Sequence, residues 1–305
     1  MANSISYASK YTGELDKMIE QKAKLGFLKD SAFKARFSGA KTVYIPELEM
    51  VGLGDYSRSE GYAKGDTTLT HRAYTLQQER SRQLFIDAQD VDESGVDGLV
   101  GSMVGEYTRL HVIPEIDAYC ISKIYDVAST NGNVTTYSYS TALSDLLTAI
   151  NSAEEATGYT DESLVAIVDP KLYGVLQNSS EMNYQLVVSD FAQGGINLKV
   201  RTLNGVPIIP VTGNRMKSAF TFNNGSSTNA GGFAPASGAK NVRAIVMPKT
   251  AASLIEKVDK VDVLNPQQVE DYDGYKINFR LYYDCLVKNS MKGTIFAISE
   301  SATSL

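Results

Sequence analysis

The sequence has two cysteines, two histidines and no tryptophan in 305 residues. Two cysteines, Cys120 and Cys285, can build neither a disulfide framework nor a cysteine-rich zinc site. Both stand inside apolar patterns, so small buried hydrophobes are expected there. His71 and His111 come with no local Ser-His-Asp or Cys-His arrangement. No run of about 18 apolar residues is available to cross a membrane as a helix. The N-terminus, MANSISYASKYTGELDK, lacks the apolar stretch of a secretory signal. The Asn-x-Ser/Thr triplets at Asn133, Asn178 and Asn224 then carry no glycosylation meaning, and a soluble chain made in a cytoplasm is expected. Cofactor motifs are missing too. Gly52-Leu-Gly54 lacks the third glycine of a dinucleotide fingerprint, and no phosphate-binding loop is present. Asp90–Gly95 matches the first half of a calcium loop, but position 12 falls on Gly101 where a bidentate Glu is required. Asp92 or Ser94 reads instead as a helix cap. The expectation is a protein with no catalytic residues, no metal and no cofactor.

What is present is a core-forming chain. It is 43% apolar and long enough for about two domains. Net charge is −6, which argues against a protein whose main task is gripping nucleic acid. The charge is unevenly placed. Residues 1–46 have eight Lys/Arg against four Asp/Glu, for +4, and the remainder has 21 against 31, for −10. A basic arm on an acidic body can dock on a second copy.

Apolar spacing predicts one short amphipathic helix over 12–25 within an extended arm. Val43 and Ile45 alternate into Pro46, and residues 50–66 hold four glycines and little to bury. Residues 67–87 are again rich in strand formers, so a long two-stranded hairpin with an exposed tip is expected. An isolated hairpin is marginal in water, which points to a partner in a neighbouring subunit. Residues 95–128 keep helical spacing over a rod of about 50 Å, with a kink expected near Pro114. Helix (141–156), strand (164–170), helix (170–177) and an Asn204-Gly205 hairpin (196–211) then alternate as an α/β sub-domain. Residues 223–241 read as a low-complexity loop, 252–263 alternate only weakly, and 275–287 and 293–298 read as closing antiparallel strands. Eighteen tyrosines, with Tyr272, Tyr275, Tyr282 and Tyr283 close together, suit protein interfaces better than a sugar site.

This order of elements resembles the major capsid protein of tailed bacteriophages, an α+β chain of the Hong Kong 97-like capsid fold. AKTVYIPELEMVGLGDYSRSEGYAKGD (40–66) and MPKTAASLIEKVDKVDVLNPQQVEDYDGYKINFRLYYDCLVKNSMKGTIFAI (247–298) look like capsid sequence of Gram-positive phages and prophages. The resemblance implies an N-terminal arm at 1–40, an extended β-hairpin loop at 41–90 and a peripheral domain with the spine helix at 91–137. It implies an axial α/β domain at 138–245 and peripheral strands with the C-terminus at 246–305. The implied function is a structural coat protein, not an enzyme. It would self-assemble through hexameric and pentameric capsomers into an icosahedral virion shell around double-stranded DNA, in the host cytoplasm during assembly. Packaged DNA would be held only weakly and non-specifically.

With a spine starting near residue 95 there is no room for the cleaved scaffolding segment of some members, so a separate scaffolding protein and a portal are the implied partners. Some members join subunits by Lys–Asn isopeptide bonds. Lys64 and Asn278 or Asn289 would be the candidates, but a cross-link is not the expectation. Arg58, Glu60, Lys64, Asp66, Arg72, Arg80 and Arg82 are the candidate interface residues, mixed charges that set register and partner choice. The alternatives are an encapsulin-type compartment shell, which shares the fold, and a soluble α/β enzyme.

Overall fold

The computed structural model describes residues 23–29, 36–38, 41–59, 61–94, 99–158, 164–178, 186–193, 196–226, 230–269 and 273–301. The helix expected over 12–25 lies outside these residues except for its last three, which lead into a 3₁₀ turn, Gly26–Leu28. The chain forms two units, Ala32–Gln78 and Met1–Ser31 with Glu79–Leu305.

The smaller unit is a three-stranded antiparallel sheet, β1 (Arg36–Ser38), β2 (Thr42–Met50) and β3 (Thr67–Thr75), in that order. The ribbon β2–β3 runs in unbroken register from Thr42↔Thr75 to Met50↔Thr67. Thr, Tyr, Val and Ile at these positions favour the pleated conformation. Residues 51–66 close the ribbon as a glycine-rich tip without a strand.

The second strand of the hairpin, expected over 67–87, therefore ends sooner. After residues 76–77 the chain starts β4 (Gln78–Asp87), which pairs in the larger unit. Leu84 and Ile86 share one face of β4 and pack on the main core, which is why this segment belongs to the body. Next comes α1 (Ala88–Ser94). The Asp87 carboxylate accepts the Gln89 N–H at 2.8 Å and caps this helix, which contains Asp92 and Ser94; residues 95–98, which precede the first described residue of the spine, lie outside the described residues. The spine follows as α2 (Leu99–Tyr107), a π turn (Thr108–Val112) and α3 (Ile113–Thr130). Pro114 has no N–H to give back to the preceding turn, and the irregularity it imposes is taken up by that π turn.

The remaining elements are β5 (Val134–Thr136), α4 (Ala142–Thr157), β6 (Leu164–Val168), α5 (Pro170–Asn178), β7 (Leu186–Gln193), β8 (Ile196–Leu203) and β9 (Val206–Pro210). They are followed by β10 (Phe220–Phe222), β11 (Phe233–Pro235), β12 (Val242–Pro248), β13 (Ala252–Leu264), β14 (Gly274–Val287) and β15 (Phe296–Ser299). Seven strands form a mixed sheet in the order β5-β15-β12-β6-β9-β8-β7, and β13-β14-β4 form a second. Asn204 and Gly205 join β8 to β9 with φ of 52° and 84°, the left-handed pair an Asn-Gly turn supplies. Part of the expected 223–241 loop is ordered: β11 pairs with β10. The weakly alternating 252–263 is one long strand, β13, paired with β14 and irregular between Glu256 and Val258.

The central strands β6 and β12 of the seven-stranded sheet are buried on both faces, which explains the uninterrupted apolar run LVAIV in β6. Val165 and Ile167 join a core with the spine and the β13–β14 sheet, while Leu164, Ala166 and Val168 join a second core under α4 and α5. On β12, Val242, Ile245 and Met247 enter the first core, and Ala244 and Val246 the second. A β-bulge between Val242 and Ala244 lets two even-numbered residues face opposite ways. Cys120 and Cys285 are both buried thiols of the first core. Tyr282 and Tyr283 are buried inside the subunit, so these two are not presented to a neighbour as the sequence suggested; Tyr275 is half-buried, and Tyr272 lies outside the described residues.

Candidate functional site

The hairpin unit exposes apolar side chains that nothing in it covers. Leu48 and Leu69 face each other across the ribbon and are both exposed. Met50, Val51 and Tyr56 are at least 63% exposed, Tyr62 is 89% exposed, and Leu53 at the tip is fully exposed. Tyr56 and Tyr62 hold an edge-to-face contact with centroids 5.2 Å apart, and the Ser57–Gly61 bridge closes the loop between them. Gly54 sits where a Cβ would come within 2.7 Å of the Ala63 Cβ, so the tip depends on that glycine. A contiguous exposed apolar patch of this kind marks an interaction surface.

Of the candidate interface residues, Arg58, Lys64 and Asp66 stand exposed in this unit and make no ion pair among the described residues. Arg72 reaches Glu47 at 3.4 Å, and the Tyr74 hydroxyl donates to the same carboxylate at 3.2 Å. Sequence reasoning missed Glu47, because only the Thr70↔Glu47 register places it beside Arg72 and Tyr74. Glu60 lies outside the described residues.

Arg80 and Arg82 belong to the larger unit. Arg80 donates to Glu115 on the spine at 2.5 Å and to the carbonyls of Asn223 at 2.9 Å and Gly232 at 3.2 Å. Its guanidinium also lies 5.9 Å from the Phe222 ring centroid. That fork of contacts fixes β4 to the spine and to the β10–β11 corner. Among the described residues Arg82 makes one hydrogen bond, to the Ala230 carbonyl at 3.5 Å.

Two further polar clusters hold the body together. Asp117, fully buried on the spine, accepts from the backbone N–H groups of Lys24 and Leu25, both at 3.3 Å, and from Arg215 at 2.8 Å. Burial pushes its carboxyl up, against the pull of Arg215 and the two amides. Lys29 adds an ion pair to Glu256 at 2.8 Å, and the Ser253 hydroxyl donates to the Leu28 carbonyl at 3.3 Å. Residues 23–29 are thus a strap pinned to the body. The second cluster centres on buried Arg243 in the β12 bulge, which binds Asp169 at the end of β6 and Glu300 after β15. Burial would raise the Glu300 pKa, but hydrogen bonds from Arg243 and Asn241 and the Arg243 charge bring it below the ordinary value. Among the described residues no group of three or more His, Cys, Asp and Glu side chains could hold a metal ion.

No sequence-family profile matches the chain, and no curated protein matches it. Solved structures do. The capsid of cyanophage P-SCSP1u aligns with a TM-score of 0.59 at 15% identity, over 88% of this chain and 85% of that one. The mature capsid of bacteriophage PhiM1 aligns at 0.56 and 11% identity, over 87% and 83%. This chain has the capsid fold of tailed phages. The same capsid fold is found in a virus-like particle from Pyrococcus furiosus, with a TM-score of 0.52 and 12% identity over 96% of this chain and 99% of that one. At these identities the likeness is one of fold.

Proposed function

We propose that the chain is a major capsid protein that assembles with copies of itself into the icosahedral shell of a tailed phage. The observation that carries this reading is the capsid fold, aligned over nearly the whole chain with shell proteins of phages. The hairpin gives it a physical basis. Its exposed Leu48, Met50, Leu53, Tyr56, Tyr62 and Leu69 need a partner surface, and a neighbouring subunit supplies one. Permanent contacts often bury more than about 2,000 Å², an area that arms and ribbons lying across neighbours can provide. Arg58, Lys64, Asp66 and Arg72 on the hairpin set register and partner choice in that contact, with Arg80 and Arg82 at the head of β4. The segments correspond to an arm (1–40), an extended loop (41–90), peripheral segments (91–137 and 246–305) and an axial domain (138–245).

The role is structural rather than enzymatic. A separate scaffolding protein and a portal complete the assembly, which takes place in the host cytoplasm. The acidic body leaves packaged DNA loosely held, as suits a container that DNA must enter by sliding.

Negative-stain electron microscopy of the purified protein, alone and with an adjacent scaffolding gene, tests the reading. Shells, tubes or hexameric capsomers are expected. The Leu53→Asp variant is expected to keep its thermal melting temperature and lose assembly, because that side chain touches nothing in its own unit. A 33.2 kDa monomer under every salt and scaffold condition would overturn it. Enzyme cargo inside shells, rather than DNA, would assign the chain to the compartment shells instead.

A further inference from the structure

The chain has three Asn-Gly pairs, at 131–132, 204–205 and 224–225. In such a pair the asparagine side chain is open to attack by the backbone nitrogen that follows it, because glycine places no Cβ beside that nitrogen. The fold treats the three pairs differently.

Asn131 follows the last turn of α3. Its own N–H and its side-chain Nδ2 both donate to the Val127 carbonyl, at 3.2 and 2.7 Å. The Gly132 N–H, which would have to attack, donates to the Ser129 carbonyl at 3.1 Å. Asn204 and Gly205 turn β8 into β9. Asn204 is left-handed, with φ of 52°, and the flanking Leu203 and Val206 are paired and fully buried. Ring closure there requires the backbone of residue 204 to rotate out of the turn, which the ladder resists.

Asn224 is exposed, in the corner between β10 and β11. Its Oδ1 accepts the Ser226 N–H at 3.1 Å. This Asx turn folds the side chain back over its own following peptide and brings Cγ towards the Gly225 nitrogen. The Ser226 N–H also stands where negative charge collects on Oδ1 during an attack at Cγ. Among the described residues the Gly225 N–H makes no hydrogen bond, so none has to be broken to free it. A Cβ at Gly225 would lie 3.5 Å from Arg82 Nη1, so a cation stands beside the attacking residue.

We propose that Asn224 is a self-modification site, converted to aspartate and isoaspartate by attack of the Gly225 nitrogen on its side chain. The bond from Gly225 N to Cγ forms and the Cγ–Nδ2 bond breaks. The Gly225 amide proton passes to water, and the departing nitrogen takes up a proton and leaves as ammonia. Water then adds to either carbonyl of the cyclic imide and reopens it with a carboxylate. No electrons are exchanged, and water is the only co-reactant. Arg82 favours the negative charge that develops on the attacking nitrogen and on Oδ1. Each subunit gains one negative charge, in a corner that Arg80 ties to β4 through the Asn223 and Gly232 carbonyls. All the groups belong to one chain, so the reaction does not rest on shell formation.

The test incubates the folded full chain at about pH 8, digests it and follows each Asn-Gly pair by peptide mass spectrometry, which reads the replacement of NH2 by OH. Conversion at Asn224 is expected about 5- to 10-fold faster than at Asn131 or Asn204, the factor that one retained hydrogen bond adds to a barrier. In the chain unfolded by urea the three rates should converge. Arg82→Gln should slow Asn224 about 5-fold, the factor one unit charge about 4 Å away gives through water, and Arg82→Lys should restore the rate. The Arg82 side chain is exposed, so both variants should fold. An Asn224 that converts no faster than Asn131 and Asn204 in the folded chain would overturn the proposal, and so would a rate unmoved by Arg82→Gln.

Discussion

Replacing Arg243 by Met puts the ion-pair cluster at the β12 bulge to a quantitative test. Arg243 is 4% exposed and its partner Asp169 is 2% exposed. Glu300 differs, with 28% of its side chain exposed. Met fills much of the volume of the Arg stem, so little cavity results. Glu300 can turn to water, but Asp169 is left as a buried charge with no cation. Breaking a buried pair by removing one partner costs about 3–5 kcal/mol. In a body this large each kcal/mol moves the melting temperature by about 2 °C, so a fall of about 6–10 °C is expected by calorimetry. Asp169→Asn in the same chain removes the stranded charge, and the double variant should recover at least about 2 kcal/mol of the loss. A fall of less than about 2 °C, or a double variant equal to the sum of the singles within about 0.5 kcal/mol, would refute the coupling.

The strap, the C-terminal strand end and the close sheet contact give three more tests. Asp117→Ala strips the Lys24 and Leu25 amides of their acceptor; faster hydrogen exchange at Leu25 and earlier tryptic cleavage after Lys29 are expected, and unchanged protection would deny Asp117 the role of anchor. Glu300 has a folded-state pKa below its ordinary 4.5, so its contribution to stability is present above that value and is lost as the pH falls through the lower one. Denaturant titrations from pH 5.5 downwards should therefore show a shallower acid loss in Glu300→Gln than in the unaltered chain, and parallel curves would contradict the assignment. A Cβ at Gly274 would stand 2.5 Å from the Ile86 carbonyl oxygen, so Gly274→Ala should force β14 away from β4 and weaken the Ala88 N–H to Asp273 carbonyl bond, at a cost of about 1–3 kcal/mol in a denaturant melt.

Much of the body could be read from the sequence because its signals are local. The uninterrupted apolar run of 164–168 and the Asn204-Gly205 pair each specify their own element, and the helix expected over 141–156 forms at Ala142–Thr157. What could not be read depends on pairings remote in sequence. Residues 78–87 have strand composition whether they pair with β3 or with β14, and only the fit of Leu84 and Ile86 to a core some 200 residues away decides. The same distance hid the setting of Asn224, since only the fold brings Arg82 of β4 beside Gly225. The two arginines at 80 and 82 looked equivalent on paper, yet one is held by Glu115 and two carbonyls and the other by a single long contact. On the hairpin the exposed glycine-rich tip was legible, since glycine spacing and the lack of a clean inner face are local properties; its uncovered Leu53, Tyr56 and Tyr62 and the Glu47 cluster were not, the latter because it needs the register.

The bulge at Arg243 has a consequence for how a charged group can enter a strand buried on both faces. Val242 and Ala244 already point to opposite sides of the sheet, as immediate neighbours in an ordinary strand would. Strike residue 243 out, and Val242 with Ala244–Pro248 reads as a regular strand with every apolar side chain still directed to the core it now serves. Arg243 is an interpolation in β12: the hub that ties β6 to the chain end after β15 takes no position away from either core.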